Sequence, residues 1–152
     1  MERGLILIDQ EHQSRKLLQE AVSLAQADDA ELIILSLVDP STHQDDAETV
    51  KQISDIEGAH YDDQTVVQAE ERALAEHVES VMSSTGVHYE CLVRVVADSK
   101  RAPAVQTVSD EYNCDHLFAT GRRRSPTGKA VFGDLTQRLL LNYDGFVTVL
   151  LD

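Results

Sequence analysis

Apolar residues recur along this chain at two spacings, and the alternation between the spacings predicts its architecture. Residues 5–8 (LILI) form an unbroken apolar run, as expected of a strand covered on both faces of a parallel sheet. Over residues 13–27 the spacing becomes helical: Leu17, Leu18, Ala21, Val22, Leu24 and Ala25 share one face, with Asp9, Glu11 or Ser14 suited to the amino end. Residues 31–38 (ELIILSLV) read as a second buried strand, closed by Asp39 and Pro40. A helix over 65–84 carries Val67, Leu74, Val78, Val81 and Met82 as its sheet-facing stripe, with Gly86 as its terminator. Residues 87–96 predict a third strand, and 103–112 a short helix with Pro103 near its first turn. A fourth strand is expected over 116–120, a last helix over 133–142 and a fifth strand over 146–151. Strands alternating with helices specify an α/β protein: an open, mostly parallel five-stranded sheet with right-handed crossovers and helices on both faces.

Length and charge narrow the picture. The 152 residues predict a single domain spanning 1–152. No apolar run approaches the length of a membrane span, and the first residues read as a strand rather than a leader, so a cytoplasmic protein without a membrane partner is expected. Two cysteines, Cys91 and Cys114, without CxxC spacing read as buried thiols at strand positions. Against 27 acidic residues stand only 13 lysines and arginines, a formal net charge of −14. That balance argues against a nucleic-acid partner, because phosphate neutralisation needs a basic surface. It suits a protein kept soluble in concentrated salt, and predicts a salt-adapted host. Residues 39–63 hold eight of the acids and one lysine, and read as a solvated or lid-like segment.

Ligands of open α/β sheets sit at the carboxyl ends of the strands, which directs attention to residues 9–13, 38–41, 96–103 and 120–136. Asp9 could accept bonds from a ribose hydroxyl or a base, or simply cap the first helix. The segment 120–134, TGRRRSPTGKAVFGD, places glycines, Arg122, Arg123, Arg124 and Lys129 between a strand and a helix. Backbone amides at such turns and arginine forks both attract phosphate. Lys100 and Arg101 add to this basic stretch, against only Asp110, Glu111 and Asp115. The same arginines could instead pair with the protein's own carboxylates, within the chain or across a dimer. GxxxxGK[ST] would need glycine at Arg123 and a hydroxyl at Ala130, so Gly128 and Lys129 make no P-loop, and no GxGxxG follows the first strand. GxSxG and HExxH are absent, and His116 reads as a structural strand residue. His60, Asp62 and Asp63 could bind a hard cation or belong to a solvated acidic loop. With no catalytic constellation, the expectation is a protein that is not an enzyme.

In order, LILID and a helix, AELIILSLVDP, an acidic insert, a long helix, CDHLFATG, and a glycine with a helix before FVTVLL resemble the universal stress protein family over essentially the whole chain. The resemblance implies a Rossmann-like fold akin to the adenine nucleotide alpha hydrolases, with strand order 3-2-1-4-5. It also implies a cytoplasmic role in stress response and a homodimer through the last strand, residues 147–151, with Val147 and Leu151 at its ends. Nucleotide-binding members carry GxxGx(9)G[ST]. Aligned without a gap, Thr120 and Arg123 occupy the first two glycine positions, Gly133 the third and Asp134 the hydroxyl; starting from Gly121 instead puts Arg124 at the second. Asp98 stands where many members have glycine. Asp9 matches the position where the family binds adenosine, Val38 the end of the second strand beside the base, and Gly133 the glycine at the last helix. The leading expectation is a binding or regulatory dimer with a degenerate phosphate site, acting through its dimer surface or a small anionic ligand. The first alternative is an ATP- or AMP-binding switch using Asp9, Val38, Arg122, Arg123, Gly133 and Thr136. A small enzyme acting on a phosphorylated metabolite is the second.

Overall fold

The computed structural model describes residues 1–8, 11–40, 63–121 and 134–151, with the backbone alone described at 11–13 and 63–66. In chain order the elements are β1 (Arg3–Ile8), α1 (Glu11–Asp28), β2 (Glu31–Val38), α2 (Asp63–Met82) and β3 (Tyr89–Val95). A 3-10 turn (Asp98–Lys100), α3 (Arg101–Glu111), β4 (His116–Gly121), α4 (Asp134–Asn142) and β5 (Phe146–Leu151) follow. The strands form one sheet in the order β3-β2-β1-β4-β5, every pairing parallel. This is the five-stranded parallel α/β sheet that the sequence pattern predicts, in the order 3-2-1-4-5 that the family resemblance implies.

Period-two alternation along each strand divides the core between the two faces of the sheet. Ile6, Leu32, Ile34, Val93 and Phe118 face α1 and α2, meeting Leu17, Leu18, Ala21, Val22, Leu74, Val78 and Met82. Leu5, Leu7, Ile33, Leu35, Leu92, Leu117 and Ala119 face α3 and α4, meeting Val105, Val108 and Leu139. Each fully buried Leu, Ile, Val or Phe side chain contributes about 1.5–3 kcal/mol by leaving water. The unbroken apolar runs of β1 and β2 are therefore two half-cores read alternately.

Several boundaries differ from the sequence reading for local reasons. Helix α1 starts at Glu11, so Ser14 lies on its buried face and is not the cap. α2 stops at Met82, not Ser84: Ser84 takes a left-handed φ of 67°, and the Thr85 hydroxyl donates to the Met82 carbonyl at 2.7 Å. Gly86, also left-handed at φ 74°, is the second bend rather than the terminator. α1 and α3 end by the same device, with Asp29 (φ 54°) and Asn113 (φ 55°) left-handed, followed by Ala30 N–H to Ala25 O and Cys114 N–H to Ser109 O, both 2.8 Å. α3 begins at Arg101, two residues before Pro103, and β3 is shorter at both ends than 87–96. β4 continues one residue past Thr120 to include Gly121. Cys91 lies on β3, but Cys114 precedes β4, and both thiols are half-buried rather than fully buried.

The amino ends of the strands are tied down. The Asp115 carboxylate accepts the Glu2 N–H at 3.1 Å and the Arg3 N–H at 3.2 Å, while Arg3 pairs with Glu31 at 2.6 Å and donates to the Tyr112 carbonyl at 2.5 Å. The amino terminus pairs with Asp28 at 2.7 Å. All of this lies at the edge opposite the carboxyl ends, where the candidate site sits. The acidic segment 39–63, and with it His60 and Asp62, lies outside the described residues apart from Asp39, Pro40 and the backbone of Asp63. Among the described residues no helix is long and apolar enough to cross a membrane, and no cluster of His, Cys, Asp and Glu could hold a metal ion.

Candidate functional site

β1 lies between β2 and β4, and the chain reverses its direction of travel across the sheet at the β1/β4 boundary. There the ladder pairs only Gly4 with His116, Leu5 with Leu117 and Ile6 with Phe118, although β1 runs on to Ile8 and β4 to Gly121. On their other sides both strands stay paired to the end, through Ile8–Ser36 and Gly121–Leu151. The two strands therefore part at their carboxyl ends, and the crevice opens at the topological switch point, where ligands of such sheets bind.

The β4 side of the crevice is built from residues the sequence singles out. The Thr136 hydroxyl, on a buried residue in the first turn of α4, donates to the Thr120 carbonyl at 3.0 Å and pins the helix to the end of β4. Gly121 is buried beneath the same turn. A Cβ on it would stand 3.0 Å from Val149 Cγ1 and 3.3 Å from both Leu151 Cδ2 and Thr136 Cγ2. Close packing of α4 on β4 and β5 thus accounts for this glycine without any ligand. Asp134 is the exposed first residue of α4. Its carboxylate sits where the helix dipole and unpaired N–H groups favour negative charge, so the helix carries its own anion at the place a phosphate would otherwise occupy.

Val38 ends β2, on the other flank of β1. It is half-buried, packs against the α1/α2 core, and its carbonyl accepts the Val96 N–H at 2.9 Å. Two strand spacings of about 4.8 Å separate β2 from β4, so one ligand lying across β1 could touch both. Thr120, Gly121, Asp134 and Thr136 come together in one corner, and Val38 lies two strands away at the end of β2. Asp9, Arg122, Arg123, Arg124 and Gly133 lie outside the described residues.

Behind this corner, on the α3/α4 face, a cleft of ≈ 460 Å³ is lined by Asp98, Ser99, Arg101, Asp134 and Arg138 among others. The 3-10 turn and α3 begin without a side-chain cap, at Ala97 and Lys100. Arg101 stands 3.8 Å from Asp98. Sequence reasoning noticed Asp98 only as a departure from glycine, counted Arg101 in the basic stretch without giving it a place in the site, and missed Arg138. Arg138 was readable: four residues after Asp134, it projects from the same side of α4 one turn on.

Three comparisons place the architecture. Among curated proteins none matches this sequence. A universal stress protein from Archaeoglobus fulgidus superposes with a TM-score of 0.66 at 18% identity, covering 98% of each chain. Another from that organism, solved in complex with dAMP, gives 0.62 at 11% identity, covering 98% of this chain and 97% of its own. A universal stress protein in complex with cAMP gives 0.58 at 15% identity, covering 98% and 95%. At such identities the superpositions establish the fold alone. The universal stress protein family model, however, matches residues 1–150, and this chain belongs to that family.

Proposed function

We propose that the chain is a non-catalytic regulatory protein of stress response that binds an adenine mononucleotide, of the AMP or cyclic AMP kind, across the crevice between β1 and β4. It does not hold ATP in the usual manner of the family. The observation that carries this reading is Asp134 at the amino end of α4: repulsion from its carboxylate grows with each phosphate charge brought to that corner. The nearby hydroxyl of Thr136 is already donated to Thr120, and Gly121 serves packing, so neither supplies the donor set of a triphosphate cradle. The adenosine side keeps the residues the family resemblance assigns to it: Val38 ends β2 beside the open crevice, and Asp9 is the next residue in the sequence after β1. Two fold relatives solved with dAMP and cAMP support a ligand of one phosphate. No group at the described corner has the paired base and nucleophile that catalysis would need, which supports a binding role.

The protein works in the cytoplasm as a homodimer through β5. This reading is supported by β5 being an edge strand whose Phe146 is 72% exposed. A salt-adapted host of the halophilic archaeal kind is supported by the net charge of −14.

Calorimetric titration of the full chain with AMP, cyclic AMP and ATP tests the site. AMP or cyclic AMP binds and ATP binds more weakly; a mononucleotide at 100 times its Kd raises stability by about 2.7 kcal/mol. Asp134→Ser, which removes the charge and restores a hydroxyl, gains ATP affinity. Equal affinity of the wild-type chain for ATP and AMP, or binding of none of the three, overturns the proposal.

A further inference from the structure

The groove between α3 and α4 continues from the cleft at Asp134 toward the middle of the helices. There a second cavity of ≈ 260 Å³ is lined by Ser99, Ala102, Pro103, Arg138, Leu139 and Tyr143, with Gln106 and Asn142 at its rim. It exists because α3 presents small or rigid side chains, Ala102 and Pro103, to α4, so the two helices leave a trough that Leu139 and the Tyr143 ring floor with apolar surface. Most polar groups along it are already engaged. Gln106 donates to Asp110 at 2.9 Å and accepts from the Asp144 N–H at 3.2 Å. The Tyr143 hydroxyl bonds Ser109 at 2.8 Å, and the Asn142 amide donates to the Arg138 carbonyl at 2.9 Å.

The Arg138 guanidinium is different. It lines both cavities and forms no hydrogen bond or ion pair among the described residues. The acids of the upper cleft do not reach into the lower trough: Asp98 is held beside Arg101 with its side chain 87% exposed, and Asp98 and Asp134 line only the upper cleft. A planar cationic fork above an apolar floor recognises one ligand chemistry, an organic anion with a flat or aliphatic body: the anion pairs with the fork and the body covers Pro103, Leu139 and Tyr143.

We propose that the α3/α4 trough is a second ligand site, separate from the nucleotide crevice, that binds a small amphipathic organic anion through Arg138. It lies on the α3/α4 face and needs none of the residues assigned to adenosine, so its fate is independent of the nucleotide reading.

Amide chemical-shift titration of the full-length protein tests it, with benzoate and phenyl phosphate as probes and acetate and inorganic phosphate as the anions without a body. Benzoate or phenyl phosphate produces saturable shifts confined to residues 99–106 and 138–143, with the bodiless anions much weaker. Arg138→Gln, a change on an exposed helix surface, weakens binding about ten-fold or more, as expected for loss of a charge-assisted pair. Arg72→Gln removes the same charge from α2 on the other face of the sheet and leaves binding unchanged. Unaltered binding in Arg138→Gln, equal loss in both variants, shifts scattered over the surface, or no saturable response to either probe each overturns the proposal.

Discussion

Gly121 and Thr136 show how a residue that looks made for a ligand can be fully occupied by the fold. Gly121→Ala pushes a methyl to 3.0 Å from Val149 Cγ1 and lifts α4 off the sheet. Overpacking of this kind costs about 1–3 kcal/mol, read as a fall in the urea midpoint. Thr136→Val keeps the shape but strips the bond to Thr120 O. It loses about 1 kcal/mol, and comparable loss of stability with no change in AMP affinity identifies the hydroxyl as structural. The cysteines follow the same logic: burial, reinforced by neighbouring carboxylates, pushes Cys91 up to about 11, and burial, partly offset by Arg3, pushes Cys114 to about 11. Both stay thiols at pH 8, and a disulfide reagent reacts with the folded protein far more slowly than with the unfolded chain.

At the scale of elements, the strands were legible because each is an apolar run between breakers, and their alternation with helices left one fold class. The ends were less so. Asp29, Ser84 and Asn113 adopt the left-handed φ that glycine most often takes at helix ends, and the place where α2 stops was set by Thr85 bonding back to Met82. The crevice was legible in outline, since topology alone puts it beside β1 and β4. The duties of Gly121 and Thr136 within it, and of Arg138 on the α3/α4 face behind it, were not, because they depend on how closely α4 approaches the sheet and α3. The β4–β5 junction offers a test at this scale. His116 Nε2 lies 2.7 Å from the Thr148 hydroxyl, and its ring stacks on Phe118 at a centroid distance of 4.5 Å. Burial lowers the His116 pKa below 6.5 despite the pull of Asp115 and Asp28, the amino terminus adding to the lowering. Below the unfolded value the unfolded chain binds the proton more readily, so this contribution is complete above pH 6.5 and is lost as pH falls through that value toward the folded one. Hydrogen exchange at β5 amides accelerates from pH 7 to pH 5.5, after correction for intrinsic rates, and the acceleration is reduced in His116→Phe. Equal acceleration in both proteins counts against the junction being proton-sensitive.

For the whole molecule, charge and edge strand have to be considered together. A net charge of −14 on each protomer opposes association, while an edge strand with Phe146 72% and Leu151 38% exposed favours it. Salt screens only the first of these two terms. The Debye length falls from about 10 Å at 0.1 M to about 3 Å at 1 M, which removes most of the repulsion, whereas backbone pairing and apolar contact are not screened. The proposed dimerisation through β5 is therefore expected to strengthen as sodium chloride is raised, the reverse of an interface held by ion pairs. Light scattering across 0.1 to 2 M salt reads this directly: the monomer fraction falls with salt in the wild-type chain. Phe146→Glu, which exchanges the most exposed aromatic of the strand for one more negative charge, shifts the midpoint to higher salt without altering the fold. A chain that stays monomeric at 2 M, or dissociates as salt rises, removes β5 as the interface.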